Sequence, residues 1–369
     1  MSADDLSRSI VLAGGGSAGH TSPLIATASE LREIAPELEL VAIGTERGLE
    51  TRVIPAAGLR LELVDPVPLP RRPSVDLAKV PIRLGRAVRQ ARDVLRRHRA
   101  AVVVGFGGYV SMPAYLAARA EKVPIVVHEQ NSVPGVANKA AARLTSHVAV
   151  SFPGTPLPHA TMVGLPVRRE ISRLDRSARR AAAAAAFDLD PGRPTLLVSG
   201  GSQGARSINT AVHAARDALL ARGISVLHVL GLKNITAEDV SVQDPDTGAQ
   251  YRPVGFVDAM ADAYAAADLM LCRSGAGTVV ETAVTGLPGI FVPLPHGNGE
   301  QARNAAALLE ADAAVLVPDA ECTAERVATL VPELVLDAER LTGMGERARA
   351  TMPGDAAARL AELVREVAG

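Results

Sequence analysis

The sequence is poor in aromatic residues: its 369 residues include no tryptophan, four tyrosines and five phenylalanines. A surface that stacks nucleic-acid bases needs aromatic side chains. The formal net charge of −1 at pH 7 gives no electrostatic reason for nucleic-acid binding either. We therefore expect no nucleic-acid partner.

Cysteines and long apolar runs are also scarce. The two cysteines, Cys272 and Cys322, are too few for a disulfide framework, which fits a reducing compartment. No apolar run approaches the ~18 residues that a membrane-spanning helix needs. The polar start, MSADDLSRS, is unlike a signal peptide. We expect a cytoplasmic protein that does not cross a membrane.

Short β-rich runs alternate with helix-like stretches, and this series occurs twice. The first series opens with a strand at 9–13 and a glycine turn at 14–20, and the second with a strand at 194–200 and a glycine turn at 200–205. Runs that are apolar on both faces are typical of parallel sheets covered by helices. We predict an α/β protein with two Rossmann-like, doubly wound domains. The predicted domains are 1–164 and 165–350, and the other predicted strands are 39–45, 101–110, 124–130, 147–151, 160–164, 225–231, 251–257, 267–273 and 289–295.

The first glycine turn has the spacing of a dinucleotide-binding fingerprint, Gly14-x-Gly16-x-x-Gly19. That fingerprint also needs an acidic residue ~20 positions on, after the second strand. Glu37 and Glu39 lie before or at the start of that strand. The turn therefore favours phosphate binding over NAD or FAD binding, and an oxidoreductase is a weak alternative.

The second glycine turn, GGSQGA, has the composition of an anion-binding loop. Gly200, Gly201 and Gly204 allow backbone N–H groups to approach a phosphate, and a following helix N-terminus adds partial positive charge. The hydroxyl of Ser202 can donate to a phosphate oxygen, or it can simply cap the helix. We favour phosphate contact.

Two later stretches carry polar residues beside apolar strands. In CRSGAGTVVE, Thr278 and Glu281 have the spacing of a capping box. The alternative is a nucleotide site in which the Glu281 carboxylate accepts two ribose hydroxyls. In PLPHGNGEQARN, Gln301 and Asn304 lie three positions apart, so both can face one site from a helix start, unless the stretch is an ordinary solvated loop.

VVHEQN, at 126–131, ends a buried strand with polar residues. The carboxyl ends of parallel strands border the crevice in which α/β sheets bind ligands. His128, Glu129 and Asn131 are therefore candidate site residues. The alternative is that one of the two titratable residues, His128 or Glu129, is a structural hydrogen-bonding group.

The segment 69–99 is locally basic, with ten Lys or Arg residues against Asp76 and Asp93 and with apolar residues interleaved. Such a surface suits anionic lipid headgroups, at ~1 kcal/mol per basic residue near a membrane. The alternative is a solvated helix face.

Seven motifs, taken in order, resemble one family. They are GGSAGH, GFGGYVSMPAYLAA, HEQNSVPGVANK, VGLPVR, GGSQGARSIN, DLMLCRSGAGTVVE and GLPGIFVPLPHGNGEQARNA. Together they resemble the MurG family of UDP-N-acetylglucosamine transferases, in glycosyltransferase family 28, from about residue 9 to residue 310. The resemblance implies a GT-B fold, with two Rossmann-like domains facing across a cleft and a final helix, 351–369, that returns to the N-terminal domain.

The resemblance also implies the reaction. UDP-GlcNAc would donate GlcNAc, with inversion, to the 4-hydroxyl of MurNAc in lipid I, giving lipid II for peptidoglycan. The implied location is the cytoplasmic face of the bacterial membrane, where the enzyme is peripheral and has partners among cell-wall synthesis and division proteins. The alternatives are another GT-B transferase with a lipid acceptor, a UDP-GlcNAc 2-epimerase, and a non-catalytic membrane adaptor.

Matching positions carry the family's site residues onto this chain. The resemblance implies that Arg168 and Ser202 contact the diphosphate and that the backbone of Val257 contacts uracil. It assigns the ribose to Glu281, within the donor-binding turn that begins at Ala276. The remaining assigned positions are Ser17, Ala18 and Gly19 in the first turn, Gly277, Thr278, Val279 and Val280 in the donor turn, and Asn131, Gln301 and Asn304 on the donor sugar side.

This chain departs from the family in the first turn, where Ser17 and Ala18 replace threonine and glycine. Since alanine is strained at a positive φ, we expect an ordinary φ at Ala18. His20 is the leading general base because imidazole titrates near neutrality, and Glu129 is the second candidate.

We predict no metal and no cofactor, because UDP-GlcNAc is a substrate and no His/Cys cluster has metal-ligand spacing. Asp188-x-Asp190, a metal-nucleotide signal in some sugar transferases, precedes Pro191-Gly192 and is better explained as a turn.

Overall fold

The computed structural model describes residues 8–46, 48–67, 75–201, 204–296 and 298–369. The chain divides into two compact units, the first formed by residues up to 168 together with 355–369, and the second by 169–354. The expected division was at 164 and 350, so each limit lies four residues later in the structure. The helix that closes the chain is part of the first unit.

The first unit is a seven-stranded sheet covered by helices. Its strands lie in the order β3-β2-β1-β4-β5-β6-β7, and every neighbouring pair is parallel. The elements are β1 Ser9–Ala13, α1 Ala18–Ile34, β2 Glu39–Gly44, α2 Glu50–Ala56, β3 Arg60–Leu63, α3 Val75–Arg97, β4 Ala100–Gly105, α4 Ser111–Glu121, β5 Ile125–Glu129, α5 Val136–Ala141, β6 His147–Val150 and β7 Ala160–Met162.

The second unit repeats this plan with the order β10-β11-β9-β8-β12-β13-β14, in which only the β10–β11 pair is antiparallel. Its elements, followed by the final helix α15, are α6 Arg169–Ser172, α7 Arg176–Ala186, β8 Thr195–Ser199, α8 Arg206–Leu220, β9 Ser225–Val229, β10 Val242–Gln243, β11 Gln250–Val254, α9 Met260–Ala266, β12 Leu269–Cys272, α10 Ala276–Thr285, β13 Gly289–Phe291, α11 Glu300–Asn304, α12 Ala306–Glu310, β14 Ala314–Leu316, α13 Ala324–Val335, α14 Ala338–Thr351 and α15 Ala356–Ala368.

The central strands are buried along their whole length because helices cover both faces of each sheet. β1, β5, β8 and β9 contain only buried residues, as expected for parallel strands. Two predicted α/β units with parallel sheets are therefore confirmed.

The final helix α15 packs against α1 and closes one face of the first sheet. Leu360, Val364 and Ala368 recur every four residues, so they form one helix face, and all three are buried in one cluster with Leu24 and Leu31 of α1. This packing explains why the last helix belongs to the first unit.

The Asp188-x-Asp190 segment is a turn, as predicted. Helix α7 ends at Ala186, and Asp188 has a φ of 51°. The Asp190 carboxylate accepts a hydrogen bond from the N–H of Gly192 at 2.9 Å.

Candidate active site

Glycine-rich segments lie at the point where the strand order of each sheet reverses. In the first unit the reversal is between β1 and β4, and in the second between β8 and β12. The crevice outside the carboxyl ends of such strands is the usual ligand site of an open α/β sheet. Glycine-rich segments follow all four strands, at 14–16, 107–108, 200–204 and 275–277.

The turn after β1 is held by a carboxylate that the sequence did not single out, that of Glu50. It is fully buried and accepts the N–H of Gly16 at 2.9 Å, and the N–H and hydroxyl of Thr45 at 3.0 and 2.9 Å. Burial opposes ionisation, but these hydrogen bonds prevail and hold the pKa of Glu50 below its usual value. A Cβ on Gly15 would come within 2.6 Å of this carboxylate, so the turn requires glycine there.

His20 occupies the first turn of α1 and is half-buried. Its Nδ1 lies 3.1 Å from Oε1 of Gln130. Gly107 and Gly108 have positive φ, and a Cβ on either would lie 3.3 Å from a ring carbon of His20. The turn after β4 therefore packs directly on the imidazole, and neither Gln130 nor these glycines had been named as site residues.

The three residues at the end of β5 have different surroundings. His128 is fully buried, and its Nε2 lies 2.9 Å from the carbonyl oxygen of Gly164. Burial lowers the pKa of His128 to about 4, so the ring is neutral at physiological pH. Gln130, also buried, lies within 3.0 Å of Nδ1 of His128 and donates to the His128 carbonyl oxygen at 2.8 Å.

Glu129 anchors the loop that follows β5. It is 2% exposed, and its carboxylate accepts hydrogen bonds from the N–H groups of Asn131 and Gly135 and from Nδ2 of Asn138. The hydroxyl of Tyr115 donates to Oδ1 of Asn138 at 2.7 Å. Burial and the charge of Glu129 raise the pKa of Tyr115, so this hydroxyl keeps its proton.

The other predicted residues of the first unit surround this arrangement or lie apart from it. Ser17, Ala18 and Gly19 are exposed at the start of α1, and Ala18 is its first helical residue with an ordinary φ, as predicted. Asn131 is half-buried in the loop that Glu129 anchors. Arg168 is half-buried at the last position of the first unit before 169.

The predicted phosphate turn of the second unit precedes a long helix. Gly201 and Gly204 have positive φ, and a Cβ on Gly204 would lie 2.3 Å from the Leu230 carbonyl oxygen. Helix α8 follows with Ala205 at its N-cap, where no side-chain hydrogen bond from the described residues caps it. Ser202 lies outside the described residues.

The capping-box interpretation of Thr278 and Glu281 is wrong, because α10 begins at Ala276 with Gly275 as its N-cap. Within the described part of the chain, no side chain caps this helix start. A Cβ on Gly277 would meet no described atom within 4 Å. The space beside this helix start is therefore open at Gly277, which leaves room for a ligand there.

Farther along α10, the predicted residues differ in their exposure. Val279 and Val280 are buried, and the Val279 N–H is used within the helix, so their side chains pack in the core. The carboxylate of Glu281 is half-buried and accepts a 2.6 Å hydrogen bond from the hydroxyl of Tyr264. Tyr264, on α9, is a neighbour that the sequence did not reveal.

Gln301 and Asn304 are both fixed by backbone groups. Oε1 of Gln301 accepts the N–H of Leu294 at 2.9 Å, which points its amide nitrogen away from that strand end. Asn304 is fully buried, and its Nδ2 lies 3.4 Å from the carbonyl oxygen of Ser274. The pair thus ties α11 to the loops after β12 and β13, and only Gln301 is partly exposed.

An arginine that the sequence did not single out joins these loops. Arg273 donates to the carbonyl oxygens of Val292 and Pro293 and to the carboxylate of Asp319, and its other nitrogen donates to the Ser207 hydroxyl. It therefore links the end of β12 with the residues that follow β13 and with the start of α8. Val257, the predicted uracil contact, is buried in the loop after β11.

Much of the basic segment is paired with acidic side chains. Arg92 and Arg96 contact Glu121, and Arg97 contacts Glu62. Earlier in α3, Ile82 is 74% exposed. In the middle of the helix Arg86 lies 3.4 Å from Asp65, but it stays largely exposed, as does Arg89. The exposed apolar and basic surface of α3 therefore lies at 82–89.

The described residues contain no helix that is both long and apolar enough to cross a membrane. Among the same residues, no three His, Cys, Asp or Glu side chains come together in an arrangement that could hold a metal ion.

Comparison with known proteins places both units in one family. The chain matches the glycosyltransferase family 28 N-terminal domain over residues 10–150 and the family's C-terminal domain over residues 195–362. A curated relative from Nocardioides sp. (strain ATCC BAA-499 / JS614) is 57% identical and covers 97% of this chain and 98% of its own length. One from Cutibacterium acnes is also 57% identical, over 96% of each chain. Both are named UDP-N-acetylglucosamine--N-acetylmuramyl-(pentapeptide) pyrophosphoryl-undecaprenol N-acetylglucosamine transferase.

Solved structures agree with this placement. The crystal structure of Acinetobacter baumannii MurG is similar with a TM-score of 0.77 at 26% identity, covering 97% of this chain and 99% of that one. The glycosyltransferase of kitacinnamycin, at 18% identity, has a TM-score of 0.70 and covers 98% and 100%, a likeness in fold alone.

Proposed function

Because the chain belongs to glycosyltransferase family 28, we propose that it transfers N-acetylglucosamine from UDP-GlcNAc to the 4-hydroxyl of MurNAc in lipid I, which gives lipid II for peptidoglycan. The observation that carries this proposal is the 57% identity, over almost the full length of both chains, to relatives named for this transfer. The four glycine-rich strand ends, one pair in each unit, supply the kind of sites that two phosphate-bearing substrates need.

The second unit binds the donor in this proposal. Helices α8 and α10 follow the neighbouring strands β8 and β12, and the partial positive charge of each helix start suits the diphosphate. Arg168 and Ser202 donate further hydrogen bonds to the diphosphate of the leaving group. Stabilisation of the departing UDP by these groups makes a metal ion unnecessary for the bond-forming step.

The donor's ribose and sugar have separate partners on the same unit. Glu281 accepts the ribose hydroxyls, and the hydroxyl of Tyr264 holds its carboxylate in one rotamer. Gln301 binds GlcNAc through its amide nitrogen, since its amide oxygen already accepts the N–H of Leu294. The backbone of Val257 meets uracil.

The first unit activates the acceptor. His20 takes the proton from the attacking hydroxyl, because its ring is partly exposed at the strand reversal where a ligand would lie. The three donors that surround the carboxylate of Glu129 favour a role in holding the 130–135 loop over a role as the base.

Contact with the membrane that carries lipid I is assigned to the middle of α3, residues 82–89. Ile82, Arg86 and Arg89 recur at helical spacing, and all three are exposed. An apolar side chain flanked by arginines is suited to an anionic lipid surface. We accordingly place the enzyme at the cytoplasmic face of the cell membrane as a peripheral protein.

The test uses UDP-[14C]GlcNAc with a lipid I analogue in the presence of EDTA. We expect radiolabel in the lipid product with UDP as the second product. Release of N-acetylmannosamine and UDP without lipid would instead indicate a 2-epimerase, and no turnover with any acceptor would refute the proposed function. A reaction that requires added Mg²⁺ would refute the metal-free step alone.

A further inference from the structure

We propose that Gln130 is the positioning residue that decides which nitrogen of His20 carries the proton, so that Nε2 is left as the proton acceptor. This inference rests on the proposed function, in which His20 activates the acceptor hydroxyl. Its basis is a chain of three side-chain hydrogen bonds that begins at a backbone carbonyl and ends at the imidazole of His20.

The chain begins at His128, whose tautomer is fixed by its surroundings. Nε2 of His128 lies 2.9 Å from the carbonyl oxygen of Gly164. A carbonyl oxygen only accepts, so this nitrogen carries the proton. Since the buried ring is neutral at physiological pH, Nδ1 of His128 has a lone pair and must accept a hydrogen bond.

The orientation of the Gln130 amide follows from that result. One end of the amide lies 2.8 Å from the carbonyl oxygen of His128 and 3.0 Å from its Nδ1. Both of these atoms are acceptors, so this end must be the NH2 group, and both of its protons are used. The reversed amide would place an oxygen against two lone pairs. Gln130 therefore presents its oxygen on the opposite side.

That oxygen lies 3.1 Å from Nδ1 of His20. Since an amide oxygen only accepts, Nδ1 of His20 must carry the proton. The other nitrogen, Nε2, makes no hydrogen bond to the described residues, and in the neutral ring it has a lone pair. A Cβ added at Gly107 or Gly108 would lie 3.3 Å from Cε1 or Cδ2 of the ring, so the turn after β4 lies close beside the imidazole.

Gln130 acts through His20 because it is itself 1% exposed and out of reach of a substrate. Its neighbour Glu129 fixes the backbone on its other side by accepting the N–H of Asn131. The arrangement matches what general-base catalysis requires, an imidazole held in one tautomer by an acceptor behind it.

The wild-type enzyme provides the first test. Nitrogen-15 NMR of histidine-labelled protein distinguishes the two neutral tautomers, and the His20→Gln variant identifies the signal among the eight histidines. At about pH 8, where a typical imidazole is neutral, we expect His20 to be protonated at Nδ1 and His128 at Nε2. A His20 signal from the Nε2–H tautomer would overturn the proposal without any variant of Gln130.

The second test uses Gln130→Met, which keeps the length of the side chain but removes the amide. We expect the Nδ1–H signal of His20 to give way to a mixture of tautomers and kcat to fall about 10²-fold, within the range of general-base contributions. KM for UDP-GlcNAc should stay within about twofold, because the amide does not touch the donor. The control is Thr27→Val on the same helix α1, which removes one buried hydrogen bond to the Pro23 carbonyl, and which should leave the tautomer and kcat unchanged.

The outcomes separate this inference from the proposed function. An unchanged tautomer and kcat in Gln130→Met would refute the role of Gln130 while lipid II synthesis by the wild type stands. Wild-type protein that makes no lipid II, yet has His20 protonated at Nδ1, would refute the proposed function and not the hydrogen-bond chain. A tautomer change with unaltered kcat would refute the catalytic use of Nε2.

Discussion

Replacement of Glu50 by glutamine should loosen the first glycine turn by a predictable amount. One carboxylate oxygen accepts the N–H of Gly16 and the other accepts the N–H and hydroxyl of Thr45. Whichever way the new amide is turned, its NH2 group faces a backbone N–H donor. A buried hydrogen bond to a charged group contributes ~1.5–3 kcal/mol, so we expect a loss of about 2 kcal/mol.

Amide hydrogen exchange measures this loss locally. A change of ~2 kcal/mol corresponds to roughly 30-fold faster exchange, which we expect at Gly16 or Thr45 in Glu50→Gln. For a unit of this size the same loss lowers its melting temperature by about 4–8 °C. Glu37→Gln is the control, because it makes the same charge change at an exposed position and should cost less than ~0.5 kcal/mol.

The pH dependence of folding stability tests the same assignment of Glu50 independently. The pKa of Glu50 is lowered in the folded protein, so the ionised form stabilises the fold at neutral pH. This contribution is complete above the ordinary glutamate pKa of ~4.3 and declines as the pH falls below it. Glu50→Gln should lack that part of the acid dependence. Unchanged exchange at Gly16 and Thr45, or an unchanged acid profile, would refute the assignment of Glu50 as the residue that holds the turn.

Three further predictions concern other parts of the molecule. Gly108→Ala should destabilise the first unit by about 3 kcal/mol in thermal unfolding, because its φ of 81° strains alanine and its Cβ would lie 2.5 Å from a carbonyl oxygen in the turn after β1. Tyr264→Phe should weaken UDP-GlcNAc binding about tenfold in calorimetry, ~1.4 kcal/mol, because Glu281 loses the hydroxyl that orients it. Ile82→Ser should lower binding to anionic vesicles about tenfold in sedimentation, because the exposed side chain no longer enters the lipid surface.

Each of these predictions has a matched control. Gly154→Ala has a similar φ of 70° but open space around its Cβ, so an equal loss in both alanine variants would contradict the steric part of the Gly108 argument. Tyr115→Phe removes a buried hydroxyl from the first unit and should leave donor binding intact. Leu336→Ser removes an exposed apolar side chain from the second unit, and equal vesicle binding by it and Ile82→Ser would contradict the assigned membrane surface.

Central strands were predictable from the sequence, whereas of the four edge strands only β7 lies within a predicted strand, 160–164. β1 has the predicted bounds because five consecutive apolar or small residues precede a glycine turn. β3, β10 and β14, at the edges of their sheets, were missed. β3 alternates charged and apolar residues and is half exposed, and β14 has three residues, so neither resembles a buried parallel strand.

Polar partners distant in the chain could not be predicted. Glu50 binds the N–H of Gly16 across 34 positions, and Gln130 reaches His20 across 110, and no local pattern encodes either contact. The motif HEQN predicts a candidate site at the end of β5, but its spacing could not assign roles to its members. The capping box failed for a related reason: the N-cap of α10 is Gly275, three residues before Thr278, and S/T-x-x-E spacing cannot specify where a helix begins.

The central claim is that the second unit binds the donor and His20 of the first unit activates the acceptor. The most direct measurement compares His20→Ala with the wild type in both UDP-GlcNAc affinity, by calorimetry, and GlcNAc transfer to a lipid I analogue. The account predicts unchanged affinity and a kcat lower by ~10²–10⁴, the contribution of a general base. Near-normal transfer by His20→Ala would contradict it.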